Sequence, residues 1–247
     1  MKISIITVSY NSEKTIRDTI DSVISQSYPN VEYIIVDGNS SDKTVEIIKS
    51  FGDKISQFVS EPDKGLYDAM NKGIKLATGE IIGILNSDDF YSDENVLKNV
   101  AEKFENGVEG LYADLFYVDP VNTKKILRKW HSGEYTEGDF LKGWMPPHPT
   151  FFARKKVYEK FGGFTDQLKS AADYELMLRF IHKEKIKIAY LPKVIVHMRA
   201  GGASNASIKN RLKANREDRL AWKINGLKPG LFTFIRKPLS KIGQFFN

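Results

Sequence analysis

Two carboxylates stand side by side at Asp88 and Asp89, just after an apolar run that closes in Ile84 and Leu85. Adjacent carboxylates repel each other and are costly to bury. A divalent cation offsets both charges. The hard ions Mg2+ and Mn2+ take oxygen ligands, one or two from carboxylates and the rest from water and phosphate. A solvated acidic loop is the other reading of the same pair. A third carboxylate, Asp37, ends the run YIIV and precedes Gly38 and Asn39. It can accept hydrogen bonds from a ring N–H or from ribose hydroxyls, or close an Asx-turn on its own backbone. Asp173, in SAADYELMLRF, opens a helical pattern. There it can project into a cleft as a base, or favour the helix dipole.

Two histidines and a tryptophan complete the inventory. His148 stands between prolines in PPHPT, a rigid loop that can hold a substrate or form a structural corner. His197 comes late in VIVHMR, before two glycines. A neutral imidazole there is a candidate metal ligand, with a hydrogen-bonded structural histidine as the alternative. Trp144 offers a flat face to a pyranose or belongs to the core.

The elements that must position these residues alternate. KISIITVSY, VEYIIVD and GEIIGIL are short, continuous and rich in β-branched residues, the pattern of buried strands. Between them, Ile16, Ile20, Val23 and Ile24 have helical spacing, with Asn11 or Ser12 as the expected cap. A second helix follows GNSS, with Ser40 or Ser41 as its expected cap, and LYDAMNKGIKLA gives a third. A short strand is expected in ISQFVSE, and SDENVLKNVAEKF reads as a fourth helix. Strand–helix alternation predicts an α/β fold around a parallel sheet with right-handed crossovers. In such sheets ligands bind beyond the carboxyl ends of the strands. Tyr10-Asn11, Asp37-Gly38-Asn39 and Asn86 to Asp89 all fall there. The second half is less regular: two extended segments (GLYADLFYVD, KILRKW), the loop GWMPPHPTFF, two helices and two late strands, IKIAYLP and VIVHMR.

Composition narrows the classes. The 247 residues are 41% hydrophobic, enough for one sizeable domain. No cysteine is present, which removes disulfides, thiolate metal sites and a Cys nucleophile. No signal peptide and no long apolar span is visible, so a cytoplasmic protein is expected. No dinucleotide fingerprint or P-loop appears either. The net charge of +6 is uneven: residues 206–247 carry ten basic and two acidic side chains, so residues 1–205 sum to −2. That argues against a nucleic-acid partner for the body. It divides the chain into a domain over 1–205 and a basic helical tail over 206–247. The tail mixes Arg236, Lys237 and Lys241 with Leu231, Phe232, Phe234, Ile235, Leu239, Ile242, Phe245 and Phe246. Such a mixture suits an anionic membrane surface, peripherally bound; a helix packed on the body is the alternative.

Taken in order, SIITVSYN, VDGNSSDKT, EPDKGLYDAMNKGIKLATGE, LNSDD, HPTFFARKKVYEKFGGF and DYELMLR resemble the family 2 glycosyltransferases of the GT-A fold. The resemblance covers most of residues 1–200. It implies a Rossmann-like, mostly parallel central sheet flanked by helices, and bacterial surface-polysaccharide synthesis. It further implies a nucleoside-diphosphate sugar donor, UDP-linked, and a glycan or lipid-linked acceptor. Val8, Tyr10 and Asn11 would hold the base; Asp37 the base or ribose; Lys64, Asn71 and Lys72 the nucleotide and diphosphate. Asp88 would face the ribose or metal waters, Asp89 would bind Mg2+ or Mn2+, and Asp173 would be the base of an inverting transfer. The chain departs from the family at Ser87 and Ala172, where acidic residues often stand. The alternatives are a sugar-phosphate nucleotidyltransferase, whose Gly-rich, Arg-containing loop SYNSEKT does not match, and a non-catalytic nucleotide-sugar-binding protein.

Overall fold

A computed structural model describes residues 1–105, 107–201, 208–230 and 233–234. The elements in chain order are β1 (Ile3–Ser9), α1 (Ile16–Ile24), β2 (Val31–Asp37), α2 (Thr44–Lys49), β3 (Gln57–Ser60), α3 (Leu66–Leu76), β4 (Ile81–Ile84), β5 (Phe90–Tyr91), α4 (Val96–Lys103), β6 (Gly110–Val118), β7 (Ile126–Trp130), β8 (Phe152–Arg154), α5 (Lys155–Phe161), α6 (Ala172–Met177), β9 (Ile188–Arg199) and α7 (Ile208–Ile224). The strands form one sheet in the order β3-β2-β1-β4-β8-β6-β9-β5, with β7 paired to β6. β1 to β4 run parallel among themselves. β8 is antiparallel to both β4 and β6, so β6 and its parallel neighbour β9 point the same way as β1. The carboxyl ends of six strands therefore share one rim.

Both faces of the sheet are covered, which is why its strands read as continuous apolar runs rather than alternating ones. Ile6 and Val8 of β1 face a cluster built with Met70 of α3, Tyr158 of α5, Leu176 of α6 and Trp222 of α7. Ile3 and Ile5 face the opposite cluster, with Ile20 of α1, Ile48 of α2 and Val100 of α4. The period of two along β1 decides which layer each side chain joins. At Gly83 the Phe152 ring lies 2.3 Å from where a Cβ would stand, so the ring of this β8 residue lies directly over the backbone of its β4 partner.

Several local expectations change. α1 begins at Ile16 behind Thr15, not behind Asn11 or Ser12. Asn11 adopts a left-handed backbone, and its Oδ1 accepts from the Ser41 N–H at 2.9 Å. α2 starts at Thr44, and Ser40 bonds Asp37 instead of capping. The segment expected to be a proline-rich loop runs straight into the three-residue strand β8. The two late strands are one, β9, with Pro192 and Lys193 bulged out of register between Leu191 and Val194. Of the basic tail, residues 208–230 and 233–234 are described. Trp222 is buried, and its Nε1 donates to the Tyr174 hydroxyl at 2.8 Å. The Arg219 guanidinium lies over Phe234. The other aromatic and basic residues named in the tail, from Leu231 to Phe246, fall outside the described residues. Among the described residues, no helix is long and apolar enough to cross a membrane.

Candidate active site

The turn after β4 carries the paired carboxylates to the rim. Asp89 is fully buried. Its backbone N–H donates to the Asn86 carbonyl at 3.1 Å, and its carbonyl accepts from Thr19 Oγ1 at 2.7 Å. Asn86 Nδ2 donates to Asp89 Oδ2 at 3.2 Å. Asp89 Oδ1 and Asn86 Oδ1 are buried without a hydrogen-bond partner among the described residues. Burial first, and then Asp88, push the Asp89 carboxyl well above the usual carboxylate range; Asn86 and Arg199 offset this only in part. Burial also raises Asp88, against the opposing charge of Arg199. Ser87 Oγ shares a hydrogen bond with Ser12 Oγ at 2.8 Å, tying this turn to the end of β1.

Arg199, the last residue of β9, closes the site from the other side. Its Nη1 donates to the Asp88 carbonyl at 2.7 Å and its Nη2 to Asp18. The guanidinium lies 5.0 Å from the Phe90 ring centre. Its buried Nε has no partner among the described residues. His197, two residues earlier, pairs with Phe90 across the strands. Its ring lies edge-on to Phe90 and stacked on Phe116. Burial lowers its basicity, so the imidazole is neutral near pH 7. Among the described residues, no three His, Asp or Glu side chains gather as a metal cluster, so the structure does not group His197 with Asp88 and Asp89.

The ends of β1 and β2 form the second part. Asp37 is buried and accepts from Ser9 Oγ at 3.0 Å, Ser60 Oγ at 2.8 Å, the Ser40 N–H at 2.9 Å and Ser40 Oγ at 2.5 Å. The carboxylate closes an Asx-turn and braces three strand ends. Val8 is buried in the sheet, whereas Tyr10 is 66% exposed. Tyr10 and Asp63 both approach Gly38: a Cβ there would meet Asp63 Oδ2 at 2.5 Å and Tyr10 Cδ2 at 3.4 Å. The absent side chain lets the 61–65 loop close on the end of β2. Lys64 is exposed at the start of α3, its N–H donating to Asp68 Oδ2 at 3.1 Å. Lys72 Nζ holds the same loop through Glu61 at 2.8 Å and the Pro62 carbonyl at 2.9 Å.

The third part surrounds Asp173 in the first turn of α6. Tyr67 donates its hydroxyl to Asp173 Oδ1 at 3.1 Å. The Tyr67 ring stacks on Phe164, and His148 lies edge-on to the same Phe164. Burial lowers the basicity of His148, with Asp173 opposing, so the ring is neutral. Asn71 pairs with the Phe164 backbone in both directions, each bond 2.8 Å. Asp173, His148 and Asn71 thus share one neighbourhood, linked through Tyr67 and Phe164. Trp144 is engaged elsewhere: its ring packs on Tyr112, Tyr135 and Phe140, and its Nε1 donates to the Ser132 carbonyl at 2.9 Å. Tyr117 of β6 links the parts electrostatically. Burial raises its hydroxyl pKa, Arg128 opposes, and both Asp89 and Asp173 add to the rise.

The residue types fit a divalent cation at Asp89. An orphaned, buried carboxylate oxygen beside a second carboxylate is an incomplete hard-oxygen ligand set, of the kind that phosphate and water complete. Tyr67 and Arg199 did not stand out in the sequence. Each acts through a partner far along the chain, and no local spacing marks such a pair.

Comparison with known proteins identifies the family and the fold. The model of Glycosyl transferase family 2 matches residues 4–169. The uncharacterized glycosyltransferase Rv1514c of Mycobacterium tuberculosis is 31% identical over 179 residues, covering 72% of this chain and 68% of that protein. The PGL/p-HBAD biosynthesis glycosyltransferase Rv2957 of the same species is 27% identical over 209 residues, covering 83% and 80%. S. aureus TarS 1-349 in complex with UDP-GlcNAc superposes with a TM-score of 0.68 at 20% identity, over 91% of this chain and 65% of that one. The mannosyltransferase PcManGT from Pyrobaculum calidifontis, in complex with GDP-Man and Mn2+, gives 0.67 at 19% identity, over 96% and 68%. At these identities the structural likeness concerns the fold.

Proposed function

The chain belongs to glycosyl transferase family 2 and has the GT-A fold, and on that premise we propose that it transfers a sugar, with inversion, from a UDP-linked donor to a hydroxyl of a glycan or lipid-linked acceptor. The product would serve a cell-surface polysaccharide. The observation that carries the reading is Asp89, buried at a strand end with one orphaned oxygen.

The chain's own residues divide the work. Tyr10 and Asn11 at the end of β1, with the β2 end that Asp37 braces, would flank the base and ribose. Lys64 at the exposed start of α3 would meet the diphosphate, with Asn71 and Lys72 behind it holding the two loops in place. Asp89 would hold Mg2+ or Mn2+, and Asp88 would face the ribose or metal waters. Such an ion, when bound, supplies Lewis-acid stabilisation of the charge left on the departing diphosphate. Asp173 would accept the proton of the acceptor hydroxyl as its oxygen attacks the anomeric carbon. The bond to the diphosphate breaks on the opposite face, so a single displacement inverts the centre and no covalent carboxylate intermediate is needed. The Tyr67 hydroxyl fixes Asp173 Oδ1, leaving Oδ2 to take the proton. His148, neutral and packed on Phe164, would border the acceptor. The basic tail would keep the enzyme at the inner face of a membrane, near a lipid-linked acceptor.

A panel of nucleotide sugars tests this: one UDP-sugar should release UDP in the presence of Mn2+, and faster with acceptor. Failure of every nucleotide sugar to turn over would overturn the reading.

A further inference from the structure

We propose that the hairpin joining β6 to β7 is a docking surface for an anionic phospholipid bilayer, placed at the same rim as the transferase site. β6 runs parallel to β1 and β4 through the antiparallel β8 between them. The turn that follows Val118 therefore leaves the sheet at the end where Asp88 and Asp89 lie.

The hairpin is unlike the rest of the surface. Seven large apolar side chains are exposed among the described residues, and three of them are here: Val121, 92% exposed, Ile126 and Leu127. Lys124, Lys125, Arg128 and Lys129 lie among them, against the single acid Asp119. That acid is engaged in the turn, accepting from the N–H groups of Val121 at 3.0 Å and Asn122 at 2.8 Å. Lysines alone are an ordinary way to blunt an edge strand. Exposed Val, Ile and Leu beside them serve no such purpose. A soluble anionic partner would match the lysines and leave the apolar tip in water. An apolar protein face would bury the tip and strand the charges. The surface of an anionic bilayer accepts both, with basic groups at headgroup level and apolar groups at the acyl boundary.

The base of the hairpin is stiff. The Arg128 guanidinium stacks over Tyr117 at 4.8 Å and over Trp130 at 5.3 Å. Tyr117 is within electrostatic reach of both Asp89 and Asp173. Docking through the tip would hold the site toward the bilayer. This consequence rests on the proposed function; the vesicle contact itself does not.

The test uses the full chain and co-sedimentation with vesicles of phosphatidylcholine alone or mixed with phosphatidylglycerol. The wild-type chain should bind the mixed vesicles, weaken as salt screens the lysines, and bind neutral vesicles poorly. Val121→Asp, and separately the pair Lys124→Glu and Lys125→Glu, should each bind at least about tenfold more weakly. Thermal melting and UDP titration should be unchanged, which separates failure of this proposal from failure of the transferase reading. If one variant loses its melting transition, the other carries the comparison. Equal binding by variants and wild type, equal binding to neutral vesicles, or no vesicle binding at all would overturn the proposal. So would a wild-type dimer that Val121→Asp splits without any effect on vesicles, since the tip would then be a subunit contact.

Discussion

Tyr67 donates to Asp173 across 106 residues of sequence, and in the proposed mechanism that single bond would decide which carboxylate oxygen is open to an acceptor. Hydrogen bonds to charged groups contribute about 1.5–3 kcal/mol. Tyr67→Phe should therefore lower kcat by roughly ten- to a hundredfold while UDP affinity stays the same, as read by steady-state kinetics and calorimetry. Asp173→Asn should bind UDP normally and lose transfer by about a hundred- to ten-thousandfold. Transfer retained by Asp173→Asn would remove it as the base. Asp88, Asp89 and Asp173 could be singled out in the sequence because carboxylates at strand and helix ends are conspicuous by type and place. Two of their partners could not: Tyr67 and Arg199 reach them from 106 and 111 residues away, through geometry that only the folded sheet creates. Asp37 shows the converse. Its position admitted a turn, the cheaper reading in isolation, and a ligand, which the convergence of strand ends favours; four donors from Ser9, Ser40 and Ser60 surround it.

At the scale of elements, β1, β2 and the turn before β4 are fastened by one buried carboxylate. Glu32 accepts from Ser4 Oγ at 2.5 Å, the Thr78 N–H at 2.7 Å, Thr78 Oγ1 at 2.6 Å and Lys2 Nζ at 2.9 Å. Burial alone would raise its pKa, but these bonds outweigh it and hold the group down to about 2, from a usual 4.5. A depressed folded-state pKa adds stability that is complete above the unfolded value and lost as pH falls through the folded one. Glu32→Gln should cost about 3 kcal/mol at pH 7 and flatten the acid limb of the stability curve between about pH 4.5 and 2. Denaturant melts across that range check it; an unchanged acid limb would contradict it. The apolar strands β1, β2 and β4 could be read directly, since a strand buried on both faces has little choice of residue. The shorter β5 and β8 could not. Two or three residues carry no periodicity, and β8 follows prolines that signal a loop.

At the scale of the molecule, α7 clamps the helix that carries Asp173. Trp222 bonds Tyr174, Asn225 Nδ2 donates to Glu175 at 3.0 Å, and Glu217 accepts from Ser170 at 2.7 Å. The change of charge at residue 206 marks a shift in composition, while the packing of Trp222 runs across it. Charge reports what faces water and says little about what lies under it. Trp222→Ala should destabilise the fold by about 3–5 kcal/mol by calorimetric melting, and lower transfer more than UDP binding because α6 loosens. The central claim concerns how three strand ends and one cation would together hold a nucleoside diphosphate. Calorimetric titration of UDP with and without Mn2+, on wild type and Asp89→Ala, tests it most directly. UDP should bind wild type tightly only with Mn2+, and the Mn2+ effect should vanish in Asp89→Ala. UDP affinity that is indifferent to Mn2+ in the wild-type protein would contradict the account.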